Sequence, residues 1–199
     1  MKKLLIATNN QGKVAEIKQI FKGIYDEVYS LKDLNIKLET IEDGQTFLEN
    51  AKKKATEGFA ACDMDTLADD SGLCVDALDG RPGIYSSRFA GQNATDHDNN
   101  MLLVKEMEDL PFKKRTGRFV CSLCLIRKEK PELNSKGEVE GILIEEGRGK
   151  NGFGYDPFFY VEEYNKTMGE LSSEIKNEIS HRAKALEMLK KKIVDENIV

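Results

Sequence analysis

The sequence predicts an α/β fold built around a mixed β-sheet, and two observations lead to this prediction. Apolar runs typical of strands are interspersed with segments that carry apolar residues at helical spacing. The alternation is not strict, because the strand-like segments 118–127 and 139–145 follow one another without a helix between them. An all-parallel sheet is therefore not expected. The length of 199 residues fits a single domain, 1–199, with a substantial core.

In the first half of the chain, the pattern predicts three strands and two helices. The strands are expected over 2–8, 25–31 and 66–68, and the helices over 13–21 and 46–62. Thr46 is placed to cap the second helix, with Glu49 three residues later in a capping-box pattern. The inward face of this helix is expected to consist of Phe47, Ala51, Ala55 and Phe59.

In the second half, a helix is expected over 95–107 with Thr95 as its cap. The two strands that follow are separated by a polar loop, 130–137, and a glycine-rich loop covers 147–154. Two helices, 173–178 and 181–194, are expected to close the chain. The last of them carries one stripe of inward-facing residues: Arg182, Leu186, Leu189 and Ile193.

Composition and charge narrow the function classes. Charged residues make up 33% of the chain and hydrophobic residues 40%, as in soluble globular proteins. The formal net charge of -5 argues against a nucleic-acid partner, but a small anionic substrate fits it. The first apolar run stops at Thr8, too early for a signal peptide, and no segment resembles a membrane span. We therefore expect a cytoplasmic protein without a membrane partner.

The four cysteines, Cys62, Cys74, Cys121 and Cys124, do not indicate a metal centre. Cys121 and Cys124 have the spacing of a zinc or redox pair, but they fall within a strand-like segment. Residues three apart on a strand point to opposite faces, so this pair is interpreted as two buried free thiols.

The sequence at 69–71 carries two adjacent acids, Asp69 and Asp70, between apolar residues and before Ser71. If the preceding strand ends there, the acids lie at the rim of a sheet, where a divalent metal or a reacting water is held. Two neighbouring like charges gain little for folding alone. Glu42, in an acidic turn before the long helix, is a candidate third ligand for Mg²⁺, which favours carboxylates and phosphate oxygens. The alternative role of Glu42 is to complement a helix dipole.

The turn at 8–13 follows the first strand and opens the first helix, a position where backbone N–H groups bind phosphate. Lys13 adds a cation there. The turn matches neither of the two common phosphate-loop patterns. The alternative interpretation is an ordinary polar turn in which Asn9 or Asn10 adopts left-handed geometry.

The segment 150–157 places Phe153 between two glycines, an arrangement that suits stacking on a nucleobase. The alternative is a tight loop whose aromatic residues enter the core. Downstream, Lys176, His181 and Arg182 supply donors near the start of the last helix, and the alternative there is a solvated cap with Ser180 at the N-cap.

Six short motifs occur in order along nearly the whole chain. They are TNNQGK at 8–13, TFLENA at 46–51, ADDSGL at 68–73, PGIYS at 82–86, GFGYDP at 152–157 and ISHR at 179–182. Together they resemble the inosine/xanthosine triphosphate pyrophosphatase family, which acts on non-standard purine nucleoside triphosphates. Where many relatives have Thr-Gly-Asn in the first motif, this chain has Asn9 in place of the glycine.

The resemblance implies a long mixed central sheet with flanking helices, two lobes around a substrate cleft, and a homodimer. It also implies Mg²⁺-dependent hydrolysis of ITP, dITP or XTP to a monophosphate and pyrophosphate. By family pattern, Asp70 is the general base and a metal ligand, and Glu42 is the second metal ligand. The substrate-binding residues so implied are Thr8, Asn9, Asn10, Gln11, Gly12, Lys13, Ser71, Phe153, Gly154, Tyr155, Asp156, Lys176, His181 and Arg182.

Two further expectations concern mechanism and specificity. Like-charge repulsion from Asp69 is expected to raise the pKa of Asp70 and make it a better base. Donors from His181 and Arg182 would favour the 6-oxo group of hypoxanthine or xanthine over the amino group of adenine.

Two alternative functions are a pyrophosphatase for modified pyrimidine nucleotides and a nucleotide-binding module without activity.

Overall fold

The computed structural model describes residues 1–196 and contains one seven-stranded sheet with the strand order β2-β1-β3-β4-β5-β6-β7. Strand β1 pairs in parallel with β2 and β3, whereas β6 pairs in antiparallel fashion with β5 and β7. The sheet is therefore mixed, as predicted. The strands are β1 Lys3–Ile6, β2 Glu27–Ser30, β3 Asp65–Val75, β4 Thr116–Arg127, β5 Lys130–Leu143, β6 Phe159–Val161 and β7 Lys166–Thr167. The α-helices are α1 Gln11–Ile20, α2 Phe47–Cys62, α3 Asp96–Glu106, α4 Ser173–Ile179 and α5 His181–Asp195.

The chain forms two compact units. Unit 1 consists of Met1–Asp70, Cys121–Gly137 and the chain from Arg182 onward, and unit 2 consists of Ser71–Val120 and Glu138–His181. The single domain expected over 1–199 stays a prediction. Among residues 1–196, no helix has both the length and the apolar character needed to cross a bilayer.

The core of unit 1 lies on both faces of its strands. On one face, β1, β3 and β4 contribute alternate residues such as Leu4, Leu67 and Leu123 to a large cluster with α1 and α5. The predicted stripe on α5 is confirmed, because its four residues, Arg182, Leu186, Leu189 and Ile193, are all buried. This face carries most of the large aliphatic side chains of unit 1.

The opposite face of unit 1 is packed with small residues. Ala51 and Ala55 of α2 contact a cluster that includes Ala68 of β3 and Cys124 of β4. Cys121 lies in the large cluster on the other face, so the two cysteines point to opposite faces as predicted. Burial raises the pKa of each thiol to about 12, which keeps both protonated at neutral pH.

Gly58 brings α2 into close contact with the sheet. A Cβ atom at this position would lie 2.8 Å from Cγ2 of Thr66 and 3.1 Å from Cβ of Ala7. The buried face of α2 is therefore Asn50, Ala51, Ala55 and Gly58. The predicted face was right for the two alanines and wrong for Phe47 and Phe59, which are only half-buried. Small residues decide which side of α2 faces the strands, because they permit the closest approach.

Two strands are much longer than predicted. The short strand expected over 66–68 is the 11-residue β3, Asp65–Val75, and Asp69 and Asp70 lie inside it. The polar loop expected over 130–137 belongs to the 14-residue strand β5, Lys130–Leu143. Both errors have one cause: pairing with neighbouring strands keeps polar segments extended, and the local pattern does not report pairing.

The observed helix termini agree more closely with the predicted ones than the strand lengths do. Thr95 caps α3 in a full capping box with Asp98. Thr46 caps α2 by accepting from the N–H of Glu49, although the Glu49 carboxylate accepts from Gln45 rather than from Thr46. Helix α1 begins at Gln11, two residues earlier than predicted, with Asn10 as its N-cap.

Unit 2 has its own apolar core. Leu73 and Val75 of β3 pack with Phe119 of β4 and Phe159 of β6. The rings of Phe119 and Phe159 are 4.4 Å apart between centroids. Strands β6 and β7 had no predicted counterpart, because three and two residues are too few for a period to be read.

The close approach at Gly58 can be tested by substitution. We expect Gly58→Leu to lower the free energy of unfolding by at least about 2 kcal/mol, because the added side chain must displace α2 from β1 and β3. The matched control, Thr56→Leu, places the same side chain at an exposed position of the same helix. It is expected to change the free energy of unfolding by no more than about 0.5 kcal/mol. Equal effects in denaturant titrations would contradict the packing described.

Candidate active site

Asp69 and Asp70 lie within β3 rather than after its end, which corrects the expectation that they stand at the rim of a sheet. The pairing of β1 with β3 reaches only to Leu67, so both acids lie just beyond the strand β1. Asp69 is 1% exposed and Asp70 is 7% exposed. As neighbours on a strand, they point to opposite faces and contact different partners.

The Asp69 carboxylate belongs to a buried ion-pair network. Its Oδ2 accepts from Nζ of Lys13 at 2.7 Å, and Nε of Arg182 lies 3.5 Å away. The Arg182 guanidinium also donates from Nη1 to Oε2 of Glu16 at 2.8 Å. The network joins α1, β3 and α5. The side chains of Asp69 and Arg182 are almost fully buried, and those of Lys13 and Glu16 are partly exposed.

The protonation states in this network follow from the opposite charges around each group. Burial by itself raises the pKa of Asp69, but Lys13, Arg182 and Lys54 outweigh burial and hold that pKa well below its usual range. For Arg182, burial lowers the pKa, and the nearby acids Asp69 and Glu16 reverse the direction and raise it. The carboxylate and the guanidinium are therefore both charged, as a buried pair requires.

Asp70 has a different environment. Its Oδ2 accepts from Nδ2 of Asn50 at 3.0 Å, and its Oδ1 lies 3.3 Å from Nζ of Lys54. The same Nζ donates to Oε1 of Glu42 at 2.8 Å. The Asn50 side chain in turn accepts from the N–H of Gly44 at 2.8 Å, and this bond ties the turn that carries Glu42 to α2.

The pKa of Asp70 is raised, as expected, but mainly for another reason. Burial is the largest cause and the negative charge of Glu42 adds to it, against the opposing effects of Lys54 and Asn50. The adjacent Asp69 is not the main cause, contrary to the expectation, and its own charge is balanced by Lys13 and Arg182. A carboxylate with a raised pKa is a better proton acceptor than an ordinary aspartate.

Three residues of this cluster were missed in the sequence: Asn50, Lys54 and Glu16. Asn50 and Lys54 are four residues apart on α2 and therefore share one face. Asn50 falls inside the motif TFLENA, and it is a fully buried amide beside the buried Ala51. A polar residue in a small-residue stripe is the signal that could have identified Asn50. Glu16 has no comparable local signal, because its role depends on α5.

The segment 8–13 is partly a turn and partly a helix. The N–H of Asn10 donates to Oγ1 of Thr8, and its side-chain Oδ1 accepts from the N–H of Lys13 at 3.1 Å. Gln11 donates to the carbonyl of Asn9. Asn9, Asn10, Gln11 and Gly12 are exposed. Asn10 has φ −76°, so the left-handed alternative is wrong at this residue.

In unit 2, the segment 152–157 presents one aromatic residue and buries another. Phe153 is 48% exposed, so the alternative of an aromatic side chain in the core is wrong for this residue. It holds for Tyr155, which is 4% exposed and donates from its hydroxyl to the carbonyl of Ser86. Oδ2 of Asp156 accepts from the N–H of Phe153 at 3.0 Å and from Nζ of Lys176 at 2.7 Å.

The other predicted binding residues are distributed over both units. Ser71 is half-buried on β3, next to Asp70. The ring of His181 stacks on Phe119, with centroids 5.1 Å apart and an interplanar angle of 21°. Arg182 is 3% exposed, so the solvated-cap alternative is wrong for this side chain. The assignment of these residues to a substrate stays a prediction.

The residues around Asp70 suit a divalent cation. Carboxylate oxygens of Glu42 and Asp70 both lie close to the single ammonium group of Lys54, so the two acids converge on one cationic position. Mg²⁺ typically takes one or two protein carboxylates together with water and phosphate oxygens. A larger ligand set is absent among residues 1–196, where no three His, Cys, Asp or Glu residues are grouped as metal ligands.

The fold and these contacts define an α/β protein with a charge-balanced candidate active site on β3. The model of the Ham1 family matches residues 4–192. The chain is 46% identical over 190 residues to a dITP/XTP pyrophosphatase of Geobacter sulfurreducens, covering 96% of each chain. It is 48% identical over 195 residues to a dITP/XTP pyrophosphatase of Bacillus cereus, covering 97% of this chain and 95% of the relative.

A solved structure extends the comparison to the fold. The Ham1 protein of Staphylococcus aureus superimposes with a TM-score of 0.88 at 40% identity, covering 98% of this chain and 100% of that one. The chain therefore belongs to the Ham1 family. This membership confirms the resemblance stated from the six motifs and the expected mixed sheet with flanking helices.

The Asp69 network makes a prediction for stability. We expect Asp69→Asn to lower the free energy of unfolding by about 3 kcal/mol, because Lys13 and Arg182 lose the buried negative charge that balances them. Asp43→Asn is the control, since Asp43 also pairs with a lysine, Lys53, but is exposed. The control is expected to leave the unfolding midpoint in urea nearly unchanged. A midpoint for Asp69→Asn equal to that of the native chain would show that the network does not support the fold.

Proposed function

We propose that the protein is a nucleoside triphosphate pyrophosphatase that hydrolyses dITP, XTP and ITP to the monophosphate and pyrophosphate. The observation that carries the proposal is the buried Asp70 carboxylate, oriented by Asn50 and adjacent to Lys54 and Glu42. Nearly full-length similarity to relatives named dITP/XTP pyrophosphatase supports the substrate class.

The reaction requires a water molecule to attack the α-phosphorus while the bond to the bridging oxygen of the β-phosphate breaks. Asp70 accepts the proton of the attacking water, and burial together with Glu42 raises the pKa of Asp70 for this task. Asn50 donates to Oδ2 of Asp70, and the other oxygen, Oδ1, which lies 3.3 Å from Nζ of Lys54, is assigned as the proton acceptor. Pyrophosphate leaves with the pair of electrons from the broken bond.

Two lysines and one helix terminus are assigned to the triphosphate. Lys13 lies at the start of α1 and is held by Asp69, so its ammonium is positioned before any ligand binds. Lys54 is less than one-fifth exposed and faces the oxygens of Asp70 and Glu42. Backbone and side-chain groups of Thr8, Asn9, Asn10, Gln11 and Gly12, together with Ser71, are the remaining candidate phosphate ligands. The exposed N-terminus of the ten-residue helix α1 favours an anion by its dipole.

Glu42 and Asp70 are the residues that would hold Mg²⁺. When bound, the ion supplies neutralisation of phosphate charge and orientation of the leaving group. The ammonium of Lys54 contacts the same two carboxylates and compensates part of their negative charge.

Base recognition is assigned to Phe153, Gly154, Tyr155, Asp156, Lys176 and His181. Arg182 is assigned an indirect part, because its buried guanidinium pairs with Asp69 and Glu16. The Phe153 ring is 48% exposed and is assigned to stacking on the purine. Donors that face the 6-oxo group of hypoxanthine or xanthine would leave the 6-amino group of adenine without an acceptor, a mismatch that discriminates strongly. Tyr155 acts by packing, because its hydroxyl is bonded to the carbonyl of Ser86.

The cellular role that follows is removal of non-standard purine triphosphates from the nucleotide pool. The protein is proposed to act in the cytoplasm as a homodimer, as the resemblance implies. Its acidic composition, with a net charge of -5, fits a free nucleotide rather than a nucleic-acid substrate.

A substrate panel tests the proposed activity. We expect dITP, ITP and XTP with Mg²⁺ to give pyrophosphate and the monophosphate, with kcat/KM at least about 100-fold above that for ATP. Products are separated by anion-exchange chromatography, and chelation of Mg²⁺ is the negative control. Release of orthophosphate would contradict the proposed bond cleavage. Preference for a modified pyrimidine triphosphate, or binding without turnover, would support one of the two alternative functions.

The role of Asp70 is tested by an isosteric change. We expect Asp70→Asn to lower kcat by a factor of about 10²–10⁴, because the amide cannot accept the proton of water. The contact with Asn50 is expected to remain, since the amide oxygen still accepts, so dITP affinity should change by less than about fivefold. Asp63→Asn, an exposed acid of unit 1, is the control and should retain the native kcat. A kcat for Asp70→Asn within twofold of native would remove Asp70 from its assigned role.

A further inference from the structure

The backbone around Phe153, in the segment 152–157, is held by the side chain of Asp156 from the same segment and by two side chains of α3. The N–H of Phe153 donates to Oδ2 of Asp156 at 3.0 Å. The N–H of the next residue, Gly154, donates to Oδ2 of Asp96 at 2.7 Å, and its carbonyl accepts from Nδ2 of Asn100 at 2.9 Å. Asp96 and Asn100 lie one turn apart on α3, within unit 2.

The amide of Asn100 has only one orientation that satisfies these contacts. Its Nδ2 donates to the carbonyl of Asp96 at 2.8 Å as well as to the carbonyl of Gly154. A flipped amide would place Oδ1 against two carbonyl oxygens. Asn100 is 5% exposed, so water cannot easily replace either bond.

The loop needs such contacts because its own sequence favours mobility. Phe153 lies between Gly152, with φ 85°, and Gly154, with φ 60°. Glycine restricts the backbone dihedral angles less than other residues do, so this segment is flexible unless other groups hold it. Gly152 packs closely, since a Cβ there would lie 2.0 Å from Oδ2 of Asp156. Gly154 has open space at its Cβ position, so side-chain packing does not restrain it.

We propose that Asp96 and Asn100 are positioning residues that hold the Phe153 loop in the conformation that binds a purine. They act through the backbone of Gly154, and neither is assigned a contact with substrate. The inference rests on the proposed stacking of the base on Phe153. If the loop is ordered before the nucleotide binds, binding does not have to supply the free energy of ordering it. Loss of this order therefore raises KM more than it lowers kcat.

The test uses the absence of tryptophan from the chain. In Phe153→Trp, the introduced indole is the only one and reports on the loop directly. Added to this background, Asn100→Asp places a carboxylate oxygen against the carbonyls of Gly154 and Asp96. Asp96→Ala is the second variant, because it removes the acceptor for the N–H of Gly154, which an asparagine would keep, and Asp96 is exposed, so the fold is less affected. Asp98→Asn is the matched control: it removes an acid from the same helical turn without touching Gly154.

The first readout is time-resolved fluorescence anisotropy without nucleotide. We expect Asn100→Asp and Asp96→Ala to increase the amplitude of nanosecond depolarisation at least about twofold, and Asp98→Asn to leave it unchanged. The second readout uses the native Phe153. There, Asn100→Asp is expected to raise KM for dITP about tenfold with kcat within twofold, whereas Asp98→Asn keeps the native KM.

Unchanged indole mobility and unchanged KM in both α3 variants would overturn the proposal. An equal loss of kcat and of thermal stability in all three α3 variants, with no change in mobility, would also overturn it. Failure of the underlying function is seen separately. If dITP does not quench the indole of Phe153→Trp in an Asp70→Asn background, stacking on residue 153 is wrong, whatever the mobility shows.

Discussion

The buried carboxylate of Asp69 is the constraint on which the rest of unit 1 depends. An ionised acid without exposure to water is tolerated only where opposite charges and hydrogen bonds surround it. Lys13 and Arg182 supply that compensation, and Glu16 balances the remaining charge of Arg182. Because these side chains come from α1, β3 and α5, the charge requirement of one residue fixes how three elements meet. The large apolar cluster then packs around that arrangement.

The same network separates the two adjacent acids into different roles. Alternation along β3 directs Asp69 and Asp70 to opposite faces, where one meets two cations and the other meets Asn50, Lys54 and Glu42. Asp69 is thereby held as a permanent anion. Asp70 keeps a raised pKa because burial and Glu42 act on a carboxylate that is only partly neutralised. Two carboxylates that looked equivalent in the sequence thus differ because their surroundings differ.

A feature of the fold or of the site could be predicted where it depends on residues that are close together in the sequence. The capping residues Thr46 and Thr95 act within one turn, so their roles at the helix termini could be predicted from the sequence. The length of β3 and β5 was underestimated because pairing with distant strands extends polar segments. Lys54 and Glu16 were missed for the same reason, since their partners lie 12 to 166 residues away along the chain.

The sequence by itself determined the family, the mixed sheet and part of the polar cluster around Asp69 and Asp70, because the six short motifs and the apolar periodicity depend only on neighbouring residues. Only the tertiary structure decided how those residues are grouped. It placed Arg182 with Asp69 rather than in a solvated cap, brought Lys54 to Asp70, and exposed Phe153 while burying Tyr155. The physical reason is that a charge or a ring acquires its role from the groups packed against it, and long-range pairing and packing choose those groups.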